Sequence, residues 1–353
     1  MVVDDLVKHP GSWLSVEKDT GIVISSRVRL ARNIRDTAFP GWAGEEECVR
    51  LCQKLRDAVG KVTATADAQF LDMARLSPLE KEVLKERHLI SQEFAERGSG
   101  SGLVVTGDER IAIMINEEDH LRLQAIRPGL DLPGVWAEIS AVDSELERQV
   151  EYAFSPTLGY LTACPSNVGT GLRASVMIHM PGLKLMGEVE QAVKALTRMG
   201  LAVRGLLGEG SEAYGNMFQV SNQSTLGESE SAIMDRLIRV VDELVRQEQN
   251  ARARLMEGRL TFVVDQVGRA LGILTQGRLL ASMEAVDLMS ILKLGVELGL
   301  IRELEAARIN EIILLTQPGH MQKIAGKVLD AQQRDEARSR IIRNRLKGVS
   351  VSE

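Results

Sequence analysis

The chain has 353 residues, 44% hydrophobic and 26% charged, with a formal net charge of −6. That balance excludes a disordered chain, leaves room for two domains with sizeable cores, and argues against broad non-specific nucleic-acid binding, so any cationic site is local. No apolar run approaches the roughly 18 residues of a membrane span, and MVVDDLVKHPGSW carries acidic residues where a secretion signal has a basic segment. Cys48, Cys52 and Cys164 come without a C-x-x-C or a nearby His, which predicts a reduced, cytoplasmic protein with no metal site.

Residues 21–30, GIVISSRVRL, alternate with period two: Ile22, Ile24, Ser26, Val28 and Leu30 on one face of a strand, Val23, Ser25, Arg27 and Arg29 on the other. Residues 45–59 and 78–96 have helical spacing, the second including His88, and 96–102 is a flexible loop. GLVVTGDERIAIMIN predicts a hairpin turning at Gly107-Asp108, whose second strand delivers NEEDHLR at 116–122. Helical spacing returns over 143–154 and, amphipathically, over 188–201; a strand is predicted over 171–180, a Gly-rich loop over 204–215 and a strand over 216–222. Beyond about 226 the pattern becomes Leu-, Met-, Ala-, Glu- and Arg-rich. The expected architecture is α+β, a mixed or antiparallel sheet flanked by helices (1–225), a charged connecting helix (226–254) and an all-helical C-terminal domain (255–353).

Arginines recur at strand ends and Gly-rich turns: Arg27, Arg29, Arg122, Arg173 and Arg204. On apolar strands such groups cost desolvation unless anions meet them. Structural ion pairs satisfy that requirement, and so does a convergent clamp for a polyphosphate. The stretch CPSNVGTGLR, 164–173, is Gly-rich without being G-x-G-x-x-G or a P-loop, and by itself a tight turn explains it. Glu118 lies four residues before Arg122, spaced to face it, and Glu209 follows Arg204. Carboxylates beside a phosphate clamp suit a guanidinium between them, which points to phosphoryl transfer from ATP to a guanidinium nitrogen.

SSRVR (25–29), NEEDHLR, CPSNVGTGLR, RGLLGE (204–209) and SNQSTLGESE (221–230) resemble, in order, the successive signatures of the phosphagen, or guanidino, kinases. The resemblance implies a guanidino-kinase catalytic fold. It implies that Arg27, Arg29, Arg122, Arg173 and Arg204 bind the phosphates of Mg-ATP, with Mg²⁺ held through the nucleotide. Ser25, Ser26, Val28, the 173–177 backbone (Ala174, Ser175, Val176 and Met177) and Gly205, Leu206, Leu207 and Gly208 would lie along the nucleotide, with His88 against it. Glu118 and Glu209 would hold and deprotonate the acceptor, and Cys164 would lie near it.

Metabolite kinases of this family carry a helical domain ahead of SSRVR that encloses a small substrate; the short segment preceding it here implies an open acceptor site. With the helical C-terminal domain, the chain is most similar to the branch of the family that phosphorylates arginines in proteins. That resemblance implies protein substrates with exposed arginines, including a heat-shock repressor, an activator protein, a Clp ATPase acting on the marked proteins, and a homo-oligomer, with no membrane or direct nucleic-acid partner. RDEARS, 334–339, nearly matches that branch's phosphoarginine-binding motif, placing Arg334, Asp335, Arg338 and Ser339, the last where the motif has Ala, in an allosteric pocket; a charged helix end explains the same composition. A kinase of free arginine or a related metabolite, and a non-catalytic phosphoarginine-binding adaptor, are the competing readings.

Overall fold

The computed structural model describes residues 3–14, 21–205 and 213–351. The sheet-forming part runs α1 (Val3–Leu6), β1 (Val23–Arg32), α2 (Glu45–Val59), β2 (Gln69–Asp72), α3 (Pro78–Glu86), α4 (Gln92–Ala95), β3 (Gly102–Val105), β4 (Ile111–Ile115), β5 (Leu121–Pro128), α5 (Leu132–Glu147), β6 (Phe154–Ser155), β7 (Gly159–Tyr160), β8 (Leu172–His179), α6 (Pro181–Met186), α7 (Val189–Arg198), β9 (Leu201–Gly205) and β10 (Met217–Asn222). Helices follow: α8 (Glu230–Gly258), α9 (Leu260–Gln276), α10 (Ser282–Glu297), α11 (Ala306–Leu315), α12 (Pro318–Ala325) and α13 (Ala331–Arg345).

Eight strands form one antiparallel sheet in the order β2-β3-β4-β5-β1-β8-β10-β9. The fold is α+β, as expected. On one face, Val28, Leu30, Leu123, Ala125, Ala174, Val176 and Val220 pack against the apolar sides of α2, α5 and the first half of α8. Burial of this face fixes the register, because a one-residue slip would turn every core side chain outward. The opposite face, near the sheet centre, is left to polar side chains. It is bordered at one end by α3 and α4, which cover β3 and β4 through Leu84, Leu89, Phe94, Leu103 and Met114, and at the other by the helical domain.

Strict alternation fails at the start of β1. The pairing with β8 shifts register between Val23 and Ser25, so Ile24 turns to the polar face and packs with Trp13, Leu14, Ile126 and Leu314. Residues 78–96 are not one helix: α3 ends at Glu86, His88 has φ +58°, and Ser91 caps the separate α4 by accepting the Phe94 N–H. Nor is 143–154 a helix of its own. It is the end of α5, started by an Asp131 cap with Pro in the first turn, and the chain leaves it to bridge Ile34 at Tyr152. Leu201 to Gly205, expected partly as helix end and partly as loop, form strand β9, and β2 and β5 were not anticipated.

The helical domain has its own core, formed by α9, α10, α11 and α13 and the end of α8. Polar contacts, besides the packing of Leu314, dock it on the sheet-forming part. Glu86 accepts the N–H groups of Gly319 and His320 at 2.6 and 3.0 Å, capping α12, and binds His320 Nδ1 at 2.7 Å. A Cβ at Gly319 would stand 2.9 Å from Glu86. Elsewhere Lys293 donates to the Gly21 carbonyl at 2.6 Å, and Ser290 meets both His179 and Asn216 at 2.8 Å. Among the described residues no helix is long and apolar enough to cross a membrane.

Candidate active site

Strand register gathers the arginines. In β1, Arg27 stands opposite Ser175 of β8 and Ile126 of β5, and Arg29 opposite Arg173 and Gln124. Met177 faces Gln219 of β10, which in turn faces Arg204 of β9. Arg122 is two residues from Gln124 on β5 and shares its side. All five cations therefore occupy the polar face of neighbouring strands. Their partners are mostly neutral: Arg27 donates to Gln219 Oε1 at 2.7 Å and Arg173 to Ser221 Oγ at 3.3 Å, while Arg29 Nε is buried with no partner among the described residues. Burial, then the neighbouring Arg122 and Arg173, lower Arg27 to about 10; the same causes, with Arg27 added, push Arg29 well below its ordinary value. Burial, then Arg204, lowers Arg173. This is a charge cluster that an anion would relieve.

Two adjoining cavities open on this face. One, of about 480 Å³, is largely apolar, lined by Trp13, Leu14, Ile24, Ile126, Met177 and Leu314, with His88, Ser25, Arg27, Ser175 and Gln219 at its polar part. The His88 and Trp13 rings meet edge to face at 5.0 Å, and Gln124 Nε2 holds the His88 carbonyl at 2.7 Å. Burial, then Arg27 and Arg29, lower His88 to about 3, so the ring is neutral at physiological pH. The other cavity, of about 570 Å³, is polar and holds Arg29, Arg122, Arg173 and Arg204 beside Glu93, Glu117, Glu118 and Asp119. The first has the form of a nucleoside site and the second of a polyphosphate and cationic-acceptor site.

The carboxylates divide their tasks differently from the spacing argument. Glu118 does not pair with Arg122. The NEEDHLR stretch is a tight turn between β4 and β5, with Asn116 at φ +60° and the Glu117 N–H on the Asp119 carbonyl, so helical i,i+4 geometry does not apply. Buried Glu117 takes Arg122 Nη1 with both oxygens, at 2.7 and 2.6 Å, and accepts Ser91 Oγ–H. Glu118 is exposed to the polar cavity, touched by Asn167 Nδ2 at 3.2 Å. Partial desolvation by the cavity walls, then Asp119 and Glu117, raise its pKa. Asp119 turns inward, accepting from Asn33 at 2.6 Å and the Ala163 N–H at 2.7 Å, and so fixes the turn.

The glycines of CPSNVGTGLR approach protein backbone. A Cβ at Gly169 would lie 2.2 Å from the Thr225 carbonyl and one at Gly171 2.6 Å from the Ala31 carbonyl; both have positive φ. The tight turn delivers Arg173, Ser166 and Asn167 to the polar cavity. Cys164 sits one step back, its Sγ 3.0 Å from Ser166 Oγ.

Other expected residues fall away from the cavities. Ser26 is on the far face, where its hydroxyl donates to the Gly129 carbonyl and accepts the Asp131 N–H. Val28, Ala174 and Val176 are core side chains there. Gly205 pairs with Phe218 at the end of β9, and Leu206, Leu207, Gly208 and Glu209 lie outside the described residues. Trp13, Glu117, Asn167 and Gln219 are the members that sequence reasoning passed over. Gln219 lay in a predicted strand with the right parity; the other three are identified by tertiary contact.

RDEARS lies in α13 and is largely engaged internally. Arg338, 2% exposed, donates to the carbonyls of Thr316 at 3.1 Å and Leu280 at 2.6 Å and pairs with Asp335 at 2.6 Å. Arg334 holds the Leu329 carbonyl at 2.7 Å, and Ser339 the Gly277 carbonyl at 2.6 Å. Arg334 and Arg338 do not form an open pair on one helix face; the stretch ties α13 to the ends of its neighbours.

An antiparallel sheet whose polar face carries an arginine cluster, an apolar cavity and an exposed carboxylate defines a guanidino phosphotransferase, a kinase of the phosphagen type. A family model described as ATP:guanido phosphotransferase, C-terminal catalytic domain, matches residues 50–251, and one described as Protein-arginine kinase McsB C-terminal domain matches 261–353. The chain is 46% identical over 337 residues to a protein-arginine kinase of Halalkalibacterium halodurans, covering 95% of each chain, and 41% identical over 348 residues to one of Halothermothrix orenii, covering 98% of this chain and 99% of that one. Among solved structures it is similar to lombricine kinase, with TM-score 0.59 and 27% identity over 71% of each chain. A duplicated taurocyamine kinase from Schistosoma mansoni shares the fold, with TM-score 0.60 and 24% identity over 75% of this chain and 42% of that one. The chain belongs to the protein-arginine kinase family.

Proposed function

We propose that this kinase transfers the γ-phosphoryl group of ATP to a guanidinium nitrogen of arginine side chains in proteins. The observation that carries the reading is the placement of four arginines of neighbouring strands and the exposed Glu118 in one polar cavity, next to an apolar cavity fit for a nucleoside. Arg29, Arg122, Arg173 and Arg204 hold the phosphates and stabilise charge on the group in transit, and buried Glu117 fixes the direction of Arg122. Mg²⁺, carried on the phosphates, would neutralise further charge.

Glu118 orients the acceptor guanidinium. As its nitrogen forms the N–P bond and the bond from phosphorus to the ADP oxygen breaks, a proton leaves the nitrogen for a carboxylate, with Glu118 and Glu209 assigned to that task. Cys164 lies near the acceptor in this reading. Glu118 is exposed, which favours an arginine presented on a large substrate, whose remote contacts supply positioning.

The proposal extends to cellular role: phosphorylated proteins become substrates of a Clp ATPase and protease, a heat-shock repressor is among the targets, an activator protein raises activity, and the enzyme works in the cytoplasm as a homo-oligomer. Family membership supports this extension. Phosphoarginine binding at RDEARS is retained as a proposal in altered form: the ligand would replace the internal Asp335–Arg338 pair, its guanidinium taking Asp335 and its phosphate Arg334 and Arg338. The substrate class is tested by comparing kcat/KM for free L-arginine and for an arginine-bearing unfolded protein. A large excess for the protein is expected; equal values would favour a metabolite kinase.

A further inference from the structure

One wall of the apolar cavity belongs to the helical domain. Asn310, Ile313, Leu314 and Gln317 line it, on or just beyond α11. Their spacing, i, i+3, i+4 and i+7, is that of one helix face, so α11 and its C-terminal continuation present a single side to the cavity. Leu314 packs with Trp13, Leu14, Ile24 and Ile126, and Gln317 Nε2 is engaged by the Ile313 carbonyl at 3.0 Å. Asn310 differs. It is 4% exposed, and its carboxamide oxygen is buried with no hydrogen-bond partner among the described residues. A buried amide oxygen left unpaired is costly, and such groups in folded proteins are nearly always met by a donor.

The surroundings indicate which donor. This cavity carries aromatic and aliphatic side chains that suit a planar base, and it adjoins the arginine cluster that suits phosphates. A carboxamide offers an acceptor and a donor side by side, complementary to the amino group and neighbouring ring nitrogen of adenine.

We propose that Asn310 hydrogen-bonds the edge of the purine base, so that the helical domain supplies a specificity-determining residue of the nucleotide site. The inference rests on the nucleotide reading of the two cavities. It also makes α11 a shared element, because the carbonyl of Thr316, just past its end, is held by Arg338 of RDEARS. The position of Asn310 is thereby set from within the helical domain, and displacement of α11 would change nucleotide affinity without altering any arginine of the clamp.

The test is calorimetry on the full-length protein with Mg²⁺ and ATP, GTP or tripolyphosphate, comparing wild type with Asn310→Leu, which keeps the volume and removes both hydrogen-bonding groups. ATP affinity should fall about three- to tenfold, the size of one or two neutral hydrogen bonds, the preference for ATP over GTP should shrink, and tripolyphosphate should bind within about twofold of wild type. Asn310→Ala, which removes the same two groups in a smaller side chain, carries the same comparison if the leucine variant does not fold, with the same direction expected. Unchanged ATP affinity would overturn the proposal, as would an equal loss for ATP and tripolyphosphate, which would mean a general disturbance of the clamp. Failure of wild-type protein to bind either ligand would instead remove the nucleotide reading on which the proposal stands.

Discussion

Arg29 and Arg173 face each other directly across β1 and β8, two guanidiniums at a single register position of an antiparallel pair. Like charges in that position destabilise a sheet, and burial adds to the cost. Replacing one should therefore relieve the ligand-free fold while disabling the site. Arg173→Leu is expected to unfold at a temperature equal to or above that of wild type and to lose phosphoryl transfer by about a thousandfold or more. Thermal unfolding and single-turnover rates check both halves; lower stability together with near-normal turnover would indicate a structural role for Arg173.

Adjacent glutamates should give different defects. Glu117→Gln weakens the hold on Arg122, so nucleotide affinity and turnover fall together. Glu118→Gln leaves the clamp intact and removes the acceptor's anion, so turnover falls by about a hundredfold or more with nucleotide affinity kept. Because partial desolvation, Asp119 and Glu117 raise the Glu118 pKa, the carboxylate is lost as pH falls through that raised value. The acid limb of kcat/KM, which reports the free enzyme, should accordingly lie above the ordinary glutamate value of 4.5.

Two imidazoles predict the acid dependence of stability. His88 is lowered to about 3 and His179 to about 4, in both cases mainly by burial. Between those values and the ordinary 6.5 the unfolded chain binds more protons than the folded one, so stability present above 6.5 is lost as pH falls toward them. Urea midpoints at pH 7 and pH 5 should show the loss. His88→Phe, which keeps an aromatic ring against Trp13 and does not titrate, should show a smaller one; an identical pH difference in the variant would contradict the assignment.

In the helical domain, Asp335→Ala leaves Arg338 buried with carbonyl partners only. A loss of about 1–3 kcal/mol is expected from removing one side of that pair, read from chemical denaturation of the full chain. The same variant should lose affinity for phosphoarginine. Retained stability and retained phosphoarginine binding together would reduce RDEARS to an ordinary charged helix.

Period-two alternation in GIVISSRVRL made β1 and the common side of Arg27 and Arg29 legible, because a half-buried strand writes its faces into sequence. The hairpin at 102–115 was equally clear. The break after Glu86 was not: a positive φ at His88 depends on the Gln124 side chain that holds its carbonyl and on the ring of Trp13. Glu117 and Glu118 are indistinguishable by type and position, and only the tight turn decides which is buried against Arg122. Gly169 and Gly171 suggested close approach, and close approach is present, to backbone at Thr225 and Ala31. The role of α11 was beyond reach, since an Asn in an apolar helix carries no mark of the cavity it will meet.

The central claim is tested most directly by the chemistry of the product linkage. Full-length protein, Mg²⁺, γ-labelled ATP and an unfolded, arginine-rich acceptor protein are incubated, and the labelled acceptor is divided between acid and alkali. A phosphoramidate on arginine is expected, so label should be released by acid and retained in alkali, and an acceptor with every arginine replaced by lysine should take up none. Acid-stable label, or equal labelling of the lysine version, would contradict transfer to an arginine guanidinium.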